Sequence, residues 1–338
     1  MAGGLTDPQP GQRLDRAGYV IEVEDRFEQP SLDGRLWIPC YLPHWSSRTA
    51  AAARYAVGGG TLRLLIEEDQ EPWSPDYSGF LRVSSLQTGL FSGPVGTVIG
   101  QHRFQQGLVV REEQQNVKLY APQYGLFELQ ARAIDDPANM VAFWMIGYED
   151  EPSRSAEICI CEIFGRDIHP LSTRIGMGLH PFGDPAITDN FTAEKVAIHA
   201  VETHTYAAEW TPRFVAFYVD DRLIKVVHQS PAYPMQFMLG IYEFAERREL
   251  PSANKYPKIF AVEHFRGYRP LDRPCAFLNA LDSTKTEFCF EKTRAFDGSL
   301  RKPIGNRDQD GASKVDQSGE DAKRDENPAR CPVEPQNA

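Results

Sequence analysis

Between Tyr19 and about Tyr268 the chain is written in short apolar runs punctuated by turn residues, with no long segment of helical periodicity. Examples are Thr61–Ile66 (TLRLLI), Phe127–Ala133 (FELQARA), Val141–Ile146 (VAFWMI), Glu157–Phe164 (EICICEIF) and Phe237–Tyr242 (FMLGIY). Such runs, about four to eight residues long and rich in β-branched and aromatic side chains, are the pattern of strands. The 25 prolines and 26 glycines are spread between the runs, as turn residues rather than repeats. One hairpin is legible residue by residue. Arg213–Val219 and Arg222–Val227 flank Asp220-Asp221, a two-residue turn where Asn-Gly or Asp-Gly is more usual. Strand number and spacing predict an all-β chain, a sandwich rather than a barrel.

At 338 residues the chain has room for one large sandwich and its appendages, and a hydrophobic content of 41% supports a real core. Residues 1–20 read as a flexible N-terminal arm and residues 21–270 as the sandwich. Residues 271–297, with Cys275–Ala280 and Thr286–Phe290, read as a last strand or a strap. Residues 298–338 carry almost no large apolar side chain and are expected to be a disordered polar tail. The formal charge of −11 argues against a nucleic-acid partner, which needs clustered Lys and Arg. No stretch approaches the roughly 20 apolar residues of a membrane span. The N-terminus shows no apolar signal region, so a cytoplasmic chain with six reduced cysteines is expected, or a secreted one if the start is misassigned.

The segment richest in chemistry is Glu157-Ile158-Cys159-Ile160-Cys161-Glu162-Ile163-Phe164. Side chains alternate along a strand, so Glu157, Cys159 and Cys161 share one face while Ile158 and Ile160 share the core face. Regular alternation would drive Glu162 into that core as an unpaired carboxylate, at a cost of several kcal/mol. A one-residue bulge near Cys161 removes the conflict, returning Glu162 to the face of Glu157 and Ile163 to the core. Two carboxylates projecting from one strand into one groove suit retaining glycoside hydrolysis, where one attacks the anomeric carbon and the other serves as acid and then base. Their mutual repulsion helps keep one protonated. The same pattern also fits an edge strand with two solvated glutamates.

Other segments accompany this strand in order. They are Tyr124-Gly125-Leu126-Phe127-Glu128, Ala142-Phe143-Trp144-Met145, His204-Thr205-Tyr206-Ala207-Ala208-Glu209-Trp210-Thr211-Pro212 and Phe217-Tyr218-Val219-Asp220. Together, from roughly Val23 to Tyr268, they resemble glycoside hydrolase family 16 (laminarinases, lichenases, agarases), whose active-site strand reads Glu-x-Asp-x-x-Glu. The resemblance implies a concanavalin A-like jelly-roll sandwich and a retaining endo-β-glycan hydrolase, with β-1,3- or mixed-linkage glucan as the expected substrate. It makes Glu157 the nucleophile and Glu162 the acid/base. The departure is Cys159, which stands where the family has the Asp that tunes the nucleophile. A neutral thiol donates weakly and removes one negative charge from the cluster, which is expected to lower the pKa of Glu162 and weaken the acid.

The resemblance also implies that Trp144 lines the cleft beside the cleaved bond and that His204 faces it near the acid/base. Trp73 and Trp45, in Pro-containing loops, are further candidates for sugar contact. Trp210 reads as core. No spacing of His and Cys fits a metal site, Cys159-x-Cys161 lacking a second pair, and no cofactor is expected. Structural calcium occurs in some family members; Asp25 and Glu263 fall in suitable regions, but the match is too loose to assign ligands. The expected partner is a polysaccharide or oligosaccharide. Two rival functions share the scaffold: a lectin-like module that lost catalysis with its Asp, and a transglycosylase.

Overall fold

The computed structural model describes residues 8–9, 11–244 and 255–271. The expected strap beyond Leu271 and the tail at 298–338 lie outside the described residues. In chain order the first strands are β1 (Tyr19–Asp25), β2 (Arg54–Gly58), β3 (Thr61–Ile66), β4 (Arg82–Gln87), β5 (Gly89–Leu90) and β6 (Val117–Lys118). The central ones are β7 (Gly125–Arg132), β8 (Asn139–Gly147), β9 (Glu157–Phe164), β10 (Ile168–His169), β11 (Ser172–His180) and β12 (Thr192–Val196). The last are β13 (His204–Trp210), β14 (Val215–Val219), β15 (Arg222–Val227), β16 (Met235–Glu243) and β17 (Lys258–Pro270). Among the described residues the helical content is one short helix, α1 (Pro75–Ser78), and two 3-10 turns. The all-β reading holds.

Two antiparallel sheets form the sandwich. One runs β15-β14-β13-β7-β17-β3-β2 with β1 on β17, and the other runs β10-β11-β9-β8-β16-β4 with β12 on β11. Period-2 alternation decides which side chains meet between them. From β7 come Phe127, Leu129 and Ala131, and from β8 come Val141, Phe143 and Met145. Phe143 stacks on Phe237 of β16 at 5.5 Å, and Phe237 meets Phe127 edge-on at 4.9 Å. The opposite parity of β8 (Met140, Ala142, Trp144, Ile146) is also buried, because loops fold over the outer face of that sheet. This explains why β8 reads as a continuous apolar run.

The Asp220-Asp221 turn is as expected, with both residues in the left-handed region at φ 50° and 64°, where Asp is better tolerated than most residues. Part of the expected arm at residues 1–20 packs on the sandwich. Leu14 donates its backbone N–H to Asp221 O at 2.9 Å and is buried against the outer face of the larger sheet. Arg16 pairs with Glu128 and Asp221, and β1 already begins at Tyr19. That strand pairs Tyr19 with Pro270, so the two ends of the sandwich adjoin.

Candidate active site

The site is built on β9, which lies between β8 and β11 on the smaller sheet. Phe143 pairs with Cys161 and Trp144 with Cys159, leaving Ile160 without a partner on β8. This is the expected bulge. Its effect on Cys161 differs from regular alternation: Ile158, Ile160, Cys161 and Ile163 all pack into the core between the sheets. Cys161 therefore leaves the face of Cys159, and Glu157, Cys159 and Glu162 remain on the outer side. On β11, Gly176 pairs with Glu162 and Gly178 with Cys159. A Cβ on Gly178 would lie 2.1 Å from Asn190 O, and its φ of 143° is one that L side chains rarely adopt. A side chain on Gly176 would press on the Phe191 ring and on Glu162 Cβ. The two glycines thus let the 190–191 segment approach β11 directly beside the carboxylates.

Both glutamates are nearly buried, at 5% exposure for Glu157 and 3% for Glu162. Burial, then the charge of Glu157, pushes the Glu162 carboxyl up to about 8, against a smaller opposing pull from Cys159 and His102. Glu162 is thus a protonated acid at neutral pH. Cys159 is completely buried, and its Sγ lies 3.7 Å from Glu157 Oε2. Burial and the two flanking glutamates raise the thiol well above its ordinary range, so it is present as S–H. A neutral donor therefore occupies the place where the resembled motif has a carboxyl.

Three participants carried no recognisable signal in the sequence. His102 reaches in from the long connection between β5 and β6, its Nδ1 2.8 Å from Glu157 Oε1. Its backbone N–H donates to Glu149 Oε1 at 2.5 Å. His102 and Glu149 both have left-handed backbones, at φ 52° and 58°, which costs of order 1–3 kcal/mol each and is typical of functional sites. Burial pushes the Glu149 carboxyl up to about 8 as well. In the sequence Glu149 belongs to the acidic run Glu149-Asp150-Glu151, which reads as a solvated loop. The third is His180, paired with Glu157 across β9 and β11. Its Nδ1 is 2.9 Å from Asp189 Oδ2 and its ring stacks on Phe191 at 4.7 Å.

Of the expected sugar-contacting residues, Trp144 is brought beside the carboxylates. It is the cross-strand partner of Cys159 on β8, its Nε1–H donates to Tyr242 Oη at 3.2 Å, and its ring lies 5.2 Å from that of His102. His204 is a correction. It lies on β13 in the opposite sheet, at the parity of Tyr206, Ala208 and Trp210, which face the space between the sheets. Its ring is held by Asp220 at 2.8 Å and by His199 O at 3.3 Å. Trp73 and Trp45 are corrections of another kind. Both are on the outer face of the right sheet, but at 1% and 0% exposure they pack the covering loops rather than offering a stacking surface. Trp45 donates to Gln101 O at 2.8 Å, and Trp73 packs edge-on against Tyr41 at 4.8 Å. Trp210 is core, as read. Asp25 spends its oxygens on the Phe27 N–H and Trp37 Nε1–H, and Glu263 accepts from Thr203 and pairs with Arg132.

Two carboxyls on one bulged strand of a jelly-roll sandwich, one of them pushed up to about 8, are groups that glycoside hydrolysis can use. The family model for glycosyl hydrolases family 16 matches residues 117–252. Among solved structures it is similar to the GlcNAcα1-4Gal-releasing endo-β-galactosidase from Clostridium perfringens, with 29% identity and a TM-score of 0.66. That alignment covers 78% of this chain and 66% of the galactosidase chain. The fold is also that of SCLam, a non-specific endo-β-1,3(4)-glucanase from family GH16, at 17% identity and a TM-score of 0.54, covering 77% of this chain and 96% of that one. The laminarinase from Flavobacterium sp. UMI-01 matches at 17% identity and a TM-score of 0.52, covering 74% and 100%. No curated protein matches the chain. No helix among the described residues is long and apolar enough to cross a membrane.

Proposed function

We propose that the chain is a retaining endo-β-glycan hydrolase in which Glu157 attacks the anomeric carbon and Glu162 protonates the leaving oxygen, then deprotonates the incoming water. The observation that carries this reading is the unequal pair on β9: Glu162 is held protonated by burial and by the charge of Glu157 on the same face. That is the division of labour a double displacement needs. His102, close to one oxygen of Glu157, acts as a positioning residue for the nucleophile, and Cys159 supports the other oxygen.

For the substrate we infer a β-linked neutral glycan. The greater likeness to an endo-β-galactosidase puts β-galactosides first in the order of testing, with β-1,3- and mixed-linkage glucans second. Reducing-end release should be measured on galactose-containing glycans, laminarin, lichenan, agarose and xyloglucan, with the anomeric configuration of the first product followed by NMR. Cleavage of at least one of them with initial release of the β-anomer supports the proposal. Initial release of the α-anomer would replace the nucleophile by a general base.

The proposal gives Cys159→Asp a definite outcome. A carboxylate beside Glu162 raises that residue's pKa further above about 8, so the alkaline limb of the pH profile moves up. Turnover is expected to rise about three- to tenfold, because Glu157 gains a stronger hydrogen-bond donor whenever that Asp is protonated. A loss of turnover with an intact melt would mean that the pocket is adapted to the thiol.

A further inference from the structure

Glu157, Cys159 and His180 each place one ligating atom within 4.8 Å of the other two, and all three are buried. The 3.7 Å between Cys159 Sγ and Glu157 Oε2 already matches the edge of a tetrahedron built on zinc bonds of about 2.0–2.3 Å, roughly 3.3–3.8 Å. His180 supplies the independent observation. It is 5% exposed, its Nδ1 is held by Asp189, and its Nε2 is buried without a hydrogen-bond partner. A carboxylate on one ring nitrogen, leaving the other to a ligand, is the usual outer support of a metal-bound histidine. Nothing in the hydrolytic mechanism uses that nitrogen.

We propose that Glu157, Cys159 and His180 form a binding site for a thiophilic divalent cation, zinc first, and that its occupancy switches the hydrolase off by capturing the nucleophile. Thiolate and imidazole together select such ions over calcium and magnesium, which prefer oxygen ligands. Binding displaces the thiol proton to solvent without any change of oxidation state, and the two anionic ligands balance the charge of the ion. Three protein ligands leave a fourth position for water. Cys159 is what makes the site: an Asp there would give a carboxylate-rich cluster without a soft ligand. The binding half stands on the geometry of these three residues alone, whereas the switching half rests on the reading of Glu157 as nucleophile.

The test is a cobalt(II) titration of the intact chain, followed by competition with zinc. Wild type is expected to show a near-ultraviolet thiolate-to-cobalt charge-transfer band that zinc abolishes. Cys159→Ser should lose the band, His180→Gln should weaken zinc binding by about 100-fold or more, and Asp189→Asn by about 10–100-fold, with melts confirming folded variants. No band in wild type, or an undiminished one in Cys159→Ser, overturns the site, and neither readout depends on an active enzyme. On a cleaved glycan, saturating zinc should abolish turnover, with recovery on chelation and no effect of calcium. Binding with turnover retained would overturn the switching half and put the role of Glu157 in doubt, while leaving the site itself in place.

Discussion

Replacing Glu157 by Gln abolishes glycan cleavage, by at least about 10⁴-fold, while the melt stays within a degree or two of wild type. The amide is nearly isosteric and still reaches His102 and Cys159, so packing is preserved, but it cannot form or release a glycosyl ester. Among the described residues, the neighbouring carboxyls cannot substitute. Glu162 is spent as the acid, and Glu149 sits behind His102, bonded to that residue's backbone N–H. Steady-state turnover and thermal melting of the same preparation check this. Activity within tenfold of wild type with an unchanged melt would remove Glu157 from the chemistry.

Replacing Glu162 by Gln moves activity and stability in opposite directions. Turnover falls by about 10²–10⁴-fold on glycans with poor leaving groups, and the alkaline limb of the pH profile disappears. For stability the sign follows from proton binding. The folded-state value of about 8 lies above the ordinary 4.5, so between those limits the native state holds a proton that the unfolded state has released. This contribution is fully present below about pH 4.5 and is lost as pH rises through about 8. Wild type should therefore lose stability between pH 5 and pH 9, and Glu162→Gln should lose less, by about 2–5 kcal/mol. Glu149, raised to about 8 by the same burial, contributes with the same sign, so Glu149→Gln should flatten the curve independently. Equal pH dependence of wild type and both variants in denaturant titrations would mean that these carboxyls titrate normally.

What the sequence disclosed, and what it hid, divides along local and non-local lines. The β9 bulge was legible because Ile158, Ile160 and Ile163 must reach one core while Glu157 and Glu162 must avoid it, a conflict contained within eight residues. The side taken by Cys161 was not, since a thiol is at home on either face. The hairpin at Asp220-Asp221 was local and therefore readable. His102, Glu149 and His180 come from three separate connections or strand ends and meet Glu157 only through the tertiary fold. Their local sequences carry no periodicity or spacing to mark them. Trp45 and Trp73 misled for a physical reason: an indole in a Pro-containing loop suits sugar stacking and loop packing equally, and here the loops close over an apolar outer face that needed covering. His204 was misplaced because the neighbouring motif fixed its strand but not the sheet to which that strand belongs, and β13 lies in the sheet opposite the carboxylates.

The central claim, a covalent intermediate on Glu157 with Glu162 as its acid/base, is tested most directly by azide rescue of two alanine variants on whichever glycan wild type cleaves. With Glu157→Ala, azide replaces the lost nucleophile in a single displacement and the account predicts an α-glycosyl azide. With Glu162→Ala, azide attacks the glycosyl enzyme from the vacated side and the β-glycosyl azide forms. Rescue of Glu157→Ala to the β-anomer, rescue of both variants to the same anomer, or undiminished hydrolysis by Glu157→Ala without azide would contradict it.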